Sequence, residues 1–207
     1  MAPGRLACAV VSELPAPGTV RPVTRWGEPV MHRTLQPVTA FDDELATLVA
    51  DMVATMYAAE GVGLAASQIG VDRALFVFDC PDDDHVRHSG VVCNPRLTLP
   101  SGDDRNLDDA DEGCLSFPGA FVPCPRPDWA RVDGVDQAGA PVSHEGTGLL
   151  ARCLQHETDH VYGTVFGDRI STKARRRLAE AQEASAHEFP PDWPVGISAE
   201  PHEGESV

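Results

Sequence analysis

A chain of 207 residues, 42% of them apolar and 23% charged, can bury one substantial core and is short for two domains. Its 16 Lys plus Arg against 32 Asp plus Glu give a formal net charge of -16, which repels polyphosphate and argues against general DNA or RNA binding. No run approaches the roughly 18 apolar residues of a membrane span, and the six cysteines (Cys8, Cys80, Cys93, Cys114, Cys124, Cys153) are too scattered for a disulfide scaffold, so a reducing cytoplasm is expected.

Residues 1–20, rich in Ala, Pro and Gly, read as a flexible N-terminal extension, and residues 187–207, which mix prolines with acidic residues, read as a disordered tail. One catalytic-sized domain is left over residues 21–186. A first helix is expected over residues 42–60, where Phe41, Leu45, Leu48, Val49, Met52, Val53, Met56 and Tyr57 recur at helical spacing. Asp42 and Asp43 suit its N-terminus, and Gly61 is expected to end it.

Short strands are expected over residues 74–78, 91–92, 96–99, 121–122 and 130–135, between clusters of Pro, Gly and Asp. A second helix opens at Thr147 or Gly148, carries Leu149, Leu150, Cys153 and Leu154 on one face, and closes near Gly163; a third is capped by Ser171 and runs to about residue 186. The order of helix, several short antiparallel strands, helix and helix is an α+β pattern, with a helix toward each end. The acidic stretches 82–84 and 103–112 read as solvated loops, without the spacing of an EF-hand.

On the second helix His156 and His160 stand four residues apart, so both imidazoles leave the same face and can share one metal ion. Glu157 projects beside them, placed to reach a water without ligating the metal. The third ligand decides the chemistry. A metzincin site is excluded because Phe166 stands where its third histidine belongs and no methionine follows the helix. A thermolysin-like zinc endopeptidase would use Glu180, which lies in an arginine-rich helix and reads better as a surface partner of those arginines. Cys114 is the better candidate: it follows Gly113, and a thiolate with two imidazoles leaves one coordination position open.

Three segments read together resemble the signature motifs of the peptide deformylases: Gly61, Val62, Gly63, Leu64, Ala65, Ala66, Ser67 and Gln68; then Glu112, Gly113, Cys114, Leu115 and Ser116; then Gln155, His156, Glu157, Thr158, Asp159 and His160. The resemblance covers about residues 23–186 and implies an α+β fold of antiparallel strands packed around a central metal-bearing helix. It implies a hydrolase that releases formate from the N-terminal formylmethionine of nascent chains, with one divalent ion per chain, iron(II) by preference, zinc, nickel or cobalt being able to substitute. It implies Cys114, His156 and His160 as ligands, Glu157 as the acid/base, and the Gln68 amide with the Leu115 backbone N–H as oxyanion donors. Val62, Gly63, Gly113, Leu149 and Cys153 are then expected to bind the substrate, and Glu112 and Asp159 to hold Arg126 in a network behind the ligands.

Four positions depart from the family pattern. Ser67 stands where proline is common and Val161 where leucine is common, both at packing positions. Phe121 replaces a polar or basic residue near the mouth, and Arg152 replaces an apolar one, which leaves substrate preference beyond methionine open. A metal-binding or peptide-binding relative without activity would have no use for Glu157 and Gln68. Expected partners are formylmethionyl peptides and, through Lys173 and Arg175 to Arg177, at most a weak, salt-sensitive ribosome contact; neither DNA nor membrane is expected.

Overall fold

The computed structural model describes residues 14–197. In chain order its main elements are α1 (Asp43–Ala58), β1 (Gly63–Ala65), β2 (Leu75–Pro81), β3 (Arg87–Thr98), β4 (Leu107–Asp108) and β5 (Asp111–Cys114). These are followed by β6 (Phe117–Pro123), β7 (Arg126–Pro127), β8 (Trp129–Val135), β9 (Pro141–Thr147), α2 (Gly148–Val161) and α3 (Thr172–Ser185). Five strands form one antiparallel sheet in the order β1-β2-β3-β8-β9, and β4 with β7 and β5 with β6 make two small ladders. The fold is α+β. Among the described residues no helix is long and apolar enough to cross a membrane.

The sheet is covered on both faces, and β2 shows why. Its Leu75 and Val77 pack toward α1 with Leu45, Val49, Met52 and Met56. The alternate residues Phe76 and Phe78 pack toward α2 with Leu150, Cys153 and Leu154. A strand with two buried faces carries an unbroken apolar run rather than an alternating one. A third cluster joins Phe117, Ala120 and Val122 of β6 to Phe166 and Leu178, so α3 rests on the β5–β6 hairpin.

α1 begins as expected, with the Asp42 carboxylate accepting from Leu45 N at 3.0 Å. Its end differs: Glu60, not Gly61, takes the left-handed conformation at φ 55°, while Gly61 N donates to Met56 O. Gly61 is small for another reason, since a Cβ there would lie 2.6 Å from the Leu115 side chain.

The two strands expected at 91–92 and 96–99 are one strand, β3. Its register with β8 shifts between Cys93 and Arg96. Asn94 bulges out at φ 54° and ties its side-chain amide to Val38, accepting from Val38 N and donating to Val38 O. The acidic stretch 103–112 is not all loop: it contains β4 and the start of β5, whose partners lie in β7 and β6.

The ends also differ from expectation where they are described. Gly18 N donates to Ala50 O, and Thr19 N and Arg21 N donate to Asp51 and Thr55 side chains, so residues 18–21 lie along α1. Residues 187–197 return to the body: Val23 N donates to Trp193 O at 2.9 Å, and Arg25 donates to the Phe189 and Pro190 carbonyls. The long-range partners, absent from local composition, are what order this segment. The expectations for residues 1–13, Cys8 included, and for 198–207 lie outside the described residues.

Candidate active site

α2 is buried from Leu150 to Val161 and brings His156 and His160 to one face. The β5–β6 hairpin carries Cys114 to the same point, where its sulfur lies 3.3 Å from His160 Nε2, and that nitrogen lies 3.1 Å from His156 Nε2. All three donor atoms fall within 4.8 Å of one another. Tetrahedral coordination with nitrogen at about 2.0–2.1 Å and sulfur at about 2.3 Å gives edges of about 3.3–3.6 Å, close to this spacing.

The hydrogen bonding turns these donor atoms toward one centre. His156 Nδ1 is 2.7 Å from Glu112 Oε1, an acceptor, so that nitrogen carries the proton and Nε2 turns a lone pair to the centre. A sulfur and two ring nitrogens converging in this way form a set that could hold one metal ion. Burial lowers the His156 pKa, while Cys114 and Glu112 together pull it well above the ordinary imidazole value. Burial and the neighbouring His156 push the His160 pKa well down.

Behind the donors lies a charged network. Arg126 binds Glu112 with two forked bonds of 2.8 and 2.6 Å and reaches Asp159 Oδ2 at 2.7 Å. Asp159 is also paired with Arg169. Burial favours the neutral Glu112, but the Arg126 and His156 bonds outweigh it and hold the carboxylate well below its usual range. Arg152, expected only as a departure near the substrate, joins the same carboxylate at 2.9 Å and also binds Asp108 Oδ2 and the Cys124 carbonyl. Its spacing of four residues before His156 was the available signal; partners 28 to 44 positions away were not visible locally.

Glu157 borders the cavity with Oε2 buried and, among the described residues, without a hydrogen-bond partner. Burial pushes its pKa up to about 7. Gly63 faces it so closely that a Cβ would lie 2.6 Å from Glu157 Oε1 and 2.8 Å from Cys153 Sγ. The Gln68 side chain is fixed at one end, Oε1 accepting from Ala65 N at 2.8 Å, and its Nε2 is directed at Cys114 Sγ, 3.6 Å away.

These groups line one cavity of about 600 Å³, together with Val62, Leu115, Leu149 and Cys153. Leu149 stands at its rim, 41% exposed, and Gly113 lies against the Phe121 ring. Glu180 is elsewhere: on α3 it pairs with Arg176 at 3.3 Å and is exposed, so the endopeptidase arrangement is not formed.

A family model described as polypeptide deformylase matches residues 20–176. The chain belongs to the polypeptide deformylase family. It is 55% identical over 167 residues to peptide deformylase 1 of Streptomyces avermitilis, covering 79% of this chain and 77% of that one. To the peptide deformylase of Mycolicibacterium paratuberculosis it is 46% identical over 200 residues, covering 89% and 96%. The solved structure of a Legionella pneumophila peptide deformylase aligns with a TM-score of 0.73 at 36% identity, covering 82% of this chain and 97% of that one. One from Synechococcus elongatus, in complex with actinonin, aligns with a TM-score of 0.71 at 35% identity, covering 85% and 95%. The deformylase is a metal-dependent hydrolase that removes the formyl group from the N-terminus of nascent peptides.

Proposed function

We propose that this deformylase holds one iron(II) ion between Cys114, His156 and His160, with Glu157 moving the proton of the reaction. The observation that carries the reading is the convergence of three lone-pair donors beside a buried carboxylate oxygen that has no partner. Two imidazoles and a thiolate also suit zinc, nickel or cobalt, and availability selects among them. When bound, the ion supplies Lewis acidity and lowers the pKa of water.

The chain's own groups do the rest. Glu157 takes the proton of the attacking water and delivers it to the departing amine, a role suited to a carboxylate within reach of both. Gln68 Nε2, fixed through its own carbonyl, and the Leu115 backbone N–H donate to the developing oxyanion, each contributing about 3 kcal/mol. Among the described residues β1 is an edge strand of the sheet, paired only with β2, so its other side at Gly63 accepts an extended peptide as an added strand. Val62, Leu149 and Cys153 enclose the methionine side chain, and Gly113 keeps the opposite wall close. Glu112, Arg126 and Asp159 hold His156 in register. The enzyme works in the cytoplasm on formylmethionyl peptides, away from DNA and membranes. Because Arg175 and Arg176 are already paired with Asp168 and Glu180, its ribosome contact is weak and salt-sensitive.

The test is formate release from formyl-Met-Ala-Ser by protein purified without air, set against Glu157→Gln. A fall of about 10²–10⁴-fold with the metal retained is expected; equal rates would end the assignment of Glu157.

A further inference from the structure

We propose that Arg152 is a positioning residue that sets the sulfur-bearing hairpin against the imidazole-bearing helix, and so fixes where Cys114 stands for the ion. The proposal rests on the reading of the site given above. It assigns a task to a residue that departs from the family pattern and lies outside the three signature segments.

Cys114 sits on a support that is weak by itself. β5 pairs only with β6, and their ladder breaks at the ligand: Gly113 faces Phe121, whereas Cys114 faces Phe117. A two-stranded hairpin is marginal in isolation, and a register shift disrupts the ladder where it occurs. His156 and His160, by contrast, are carried by one buried helix. The spacing of the sulfur from the two ring nitrogens therefore depends on what joins the hairpin to α2.

Arg152 leaves α2 one turn before His156 and meets that hairpin at three places. Its Nη1 donates to Glu112 Oε2 at 2.9 Å, two residues before Cys114, and to the Cys124 carbonyl at 2.7 Å, just past β6. Its Nη2 donates to Asp108 Oδ2 at 2.9 Å and to the Asp108 carbonyl at 3.1 Å, at the end of β4. The base between these points is closed by Cys124 N donating to Ala110 O and by Ala110 N donating to Asp108 Oδ1. One side chain, 6% exposed, thus fastens both ends of the hairpin to the helix. Glu112 also accepts from Arg126, on β7, and from the ligand His156; Arg152 is the direct tie from α2 that ligation does not use.

The arrangement is specific to a guanidinium. Four bonds leave two nitrogens of one rigid plane toward three separate residues, whereas an ammonium offers three donors from a single atom. A lysine keeps the charge beside Glu112 and gives up the reach to Asp108 and Cys124. Charge compensation and positioning are therefore separable by substitution.

The experiment titrates the metal-free, full-length enzyme with cobalt(II) against a competing chelator, following the thiolate-to-cobalt absorption, in the wild type, Arg152→Lys, Asp108→Ala and Asp109→Ala. Arg152→Lys is expected to lose about 10–100-fold in cobalt affinity, with the thiolate band shifted and weakened at saturation. Its cobalt-loaded form is expected to fall in kcat for formate release with KM held within about twofold, because the substrate walls are unchanged. Asp108→Ala removes one bond through a side chain that is 43% exposed and is expected to lose about twofold to fivefold in affinity. Asp109→Ala, at the exposed neighbour, is expected to lose none. Wild-type affinity and band in Arg152→Lys overturn the proposal alone, and so does an affinity loss that leaves the band of the saturated variant unchanged. An equal loss in Asp109→Ala traces the effect to net charge and overturns it too. Where Arg152→Lys does not fold, Asp108→Ala decides, and wild-type affinity there overturns the proposal. Cobalt binding to the wild type without a thiolate band overturns the site reading and this proposal with it.

Discussion

The helices α2 and α3 have the same length, 14 residues, and opposite surroundings. α3 buries only Leu178 and leaves its arginines and glutamates to solvent, the pattern of a helix resting on a surface by one stripe. α2 buries twelve consecutive residues, seven of them polar or charged: Arg152, Gln155, His156, Glu157, Thr158, Asp159 and His160. Buried polar groups are costly unless paired, and most of these are. Arg152 and Asp159 meet ions of opposite charge, His156 Nδ1 donates to Glu112, and Gln155 donates to two carbonyls. The exceptions are Glu157 Oε2, His160 Nδ1 and Thr158 Oγ1. Two of those three residues, Glu157 and His160, belong to the proposed reaction centre. The comparison teaches that a helix can be buried for chemistry rather than for stability, and that its incomplete hydrogen bonding points to where the chemistry occurs.

The contrast can be broken first at Glu112, which serves Arg126, Arg152 and His156 together. Glu112→Ala takes the shared carboxylate from two buried guanidiniums, leaving Arg126 only Asp159 and Arg152 only Asp108 as acidic partners among the described residues, and is expected to cost about 3–5 kcal/mol in denaturant unfolding. The same change removes the His156 Nδ1 acceptor, so metal affinity should fall about 10–100-fold in a competitive chelator titration. Retention of both stability and affinity would show that α2 needs no network.

The helix starts sharpen the comparison at a smaller scale. Ser171 Oγ accepts from Ala174 N at the start of α3, whereas Thr147 makes no side-chain cap bond to α2. Ser171→Ala should cost about 1 kcal/mol and Thr147→Ala close to nothing in thermal melts. Equal losses would mean that cap chemistry does not separate the two helices.

The last contrast is between paired and unpaired histidines. His144 on β9 packs edge to face on Phe78 at 4.9 Å, its Nε2 buried without a partner among the described residues, and burial lowers its pKa. The unfolded chain then binds the proton more readily than the native one, so stability rises with pH across this titration. The contribution of neutral His144 is present above about pH 6.5 and is lost as pH falls through the native pKa. His144→Leu should therefore gain on the wild type as pH is lowered from 7 to 5, in paired melting curves. A gap that does not change with pH would remove this assignment.

What could be read from the sequence was what local spacing determines. The four-residue interval of His156 and His160 and the apolar stripe of α1 are properties of one helix each. The two-faced run of β2 is likewise contained in its own residues. What could not be read depends on distant partners. β9 alternates weakly, its inward Val142 and His144 being only half-buried, and carries no strand signal. β4 and β5 are acidic and become strands because Arg126 and Arg152 neutralise Glu112 and Asp108. The pair Asn94 and Pro95 looks like a break and acts as a bulge because Val38 supplies both backbone partners. The residues after α3 have the composition of a tail and are ordered by a bond from Val23.

The central claim is that the sulfur of Cys114 and the imidazoles of His156 and His160 share a single ion. Titration of the metal-free enzyme with cobalt(II), followed by absorption, tests it directly. The account predicts one cobalt per chain with a thiolate-to-cobalt charge-transfer band that disappears in Cys114→Ser. Persistence of that band in the variant, or cobalt binding to the wild type without it, would contradict the claim.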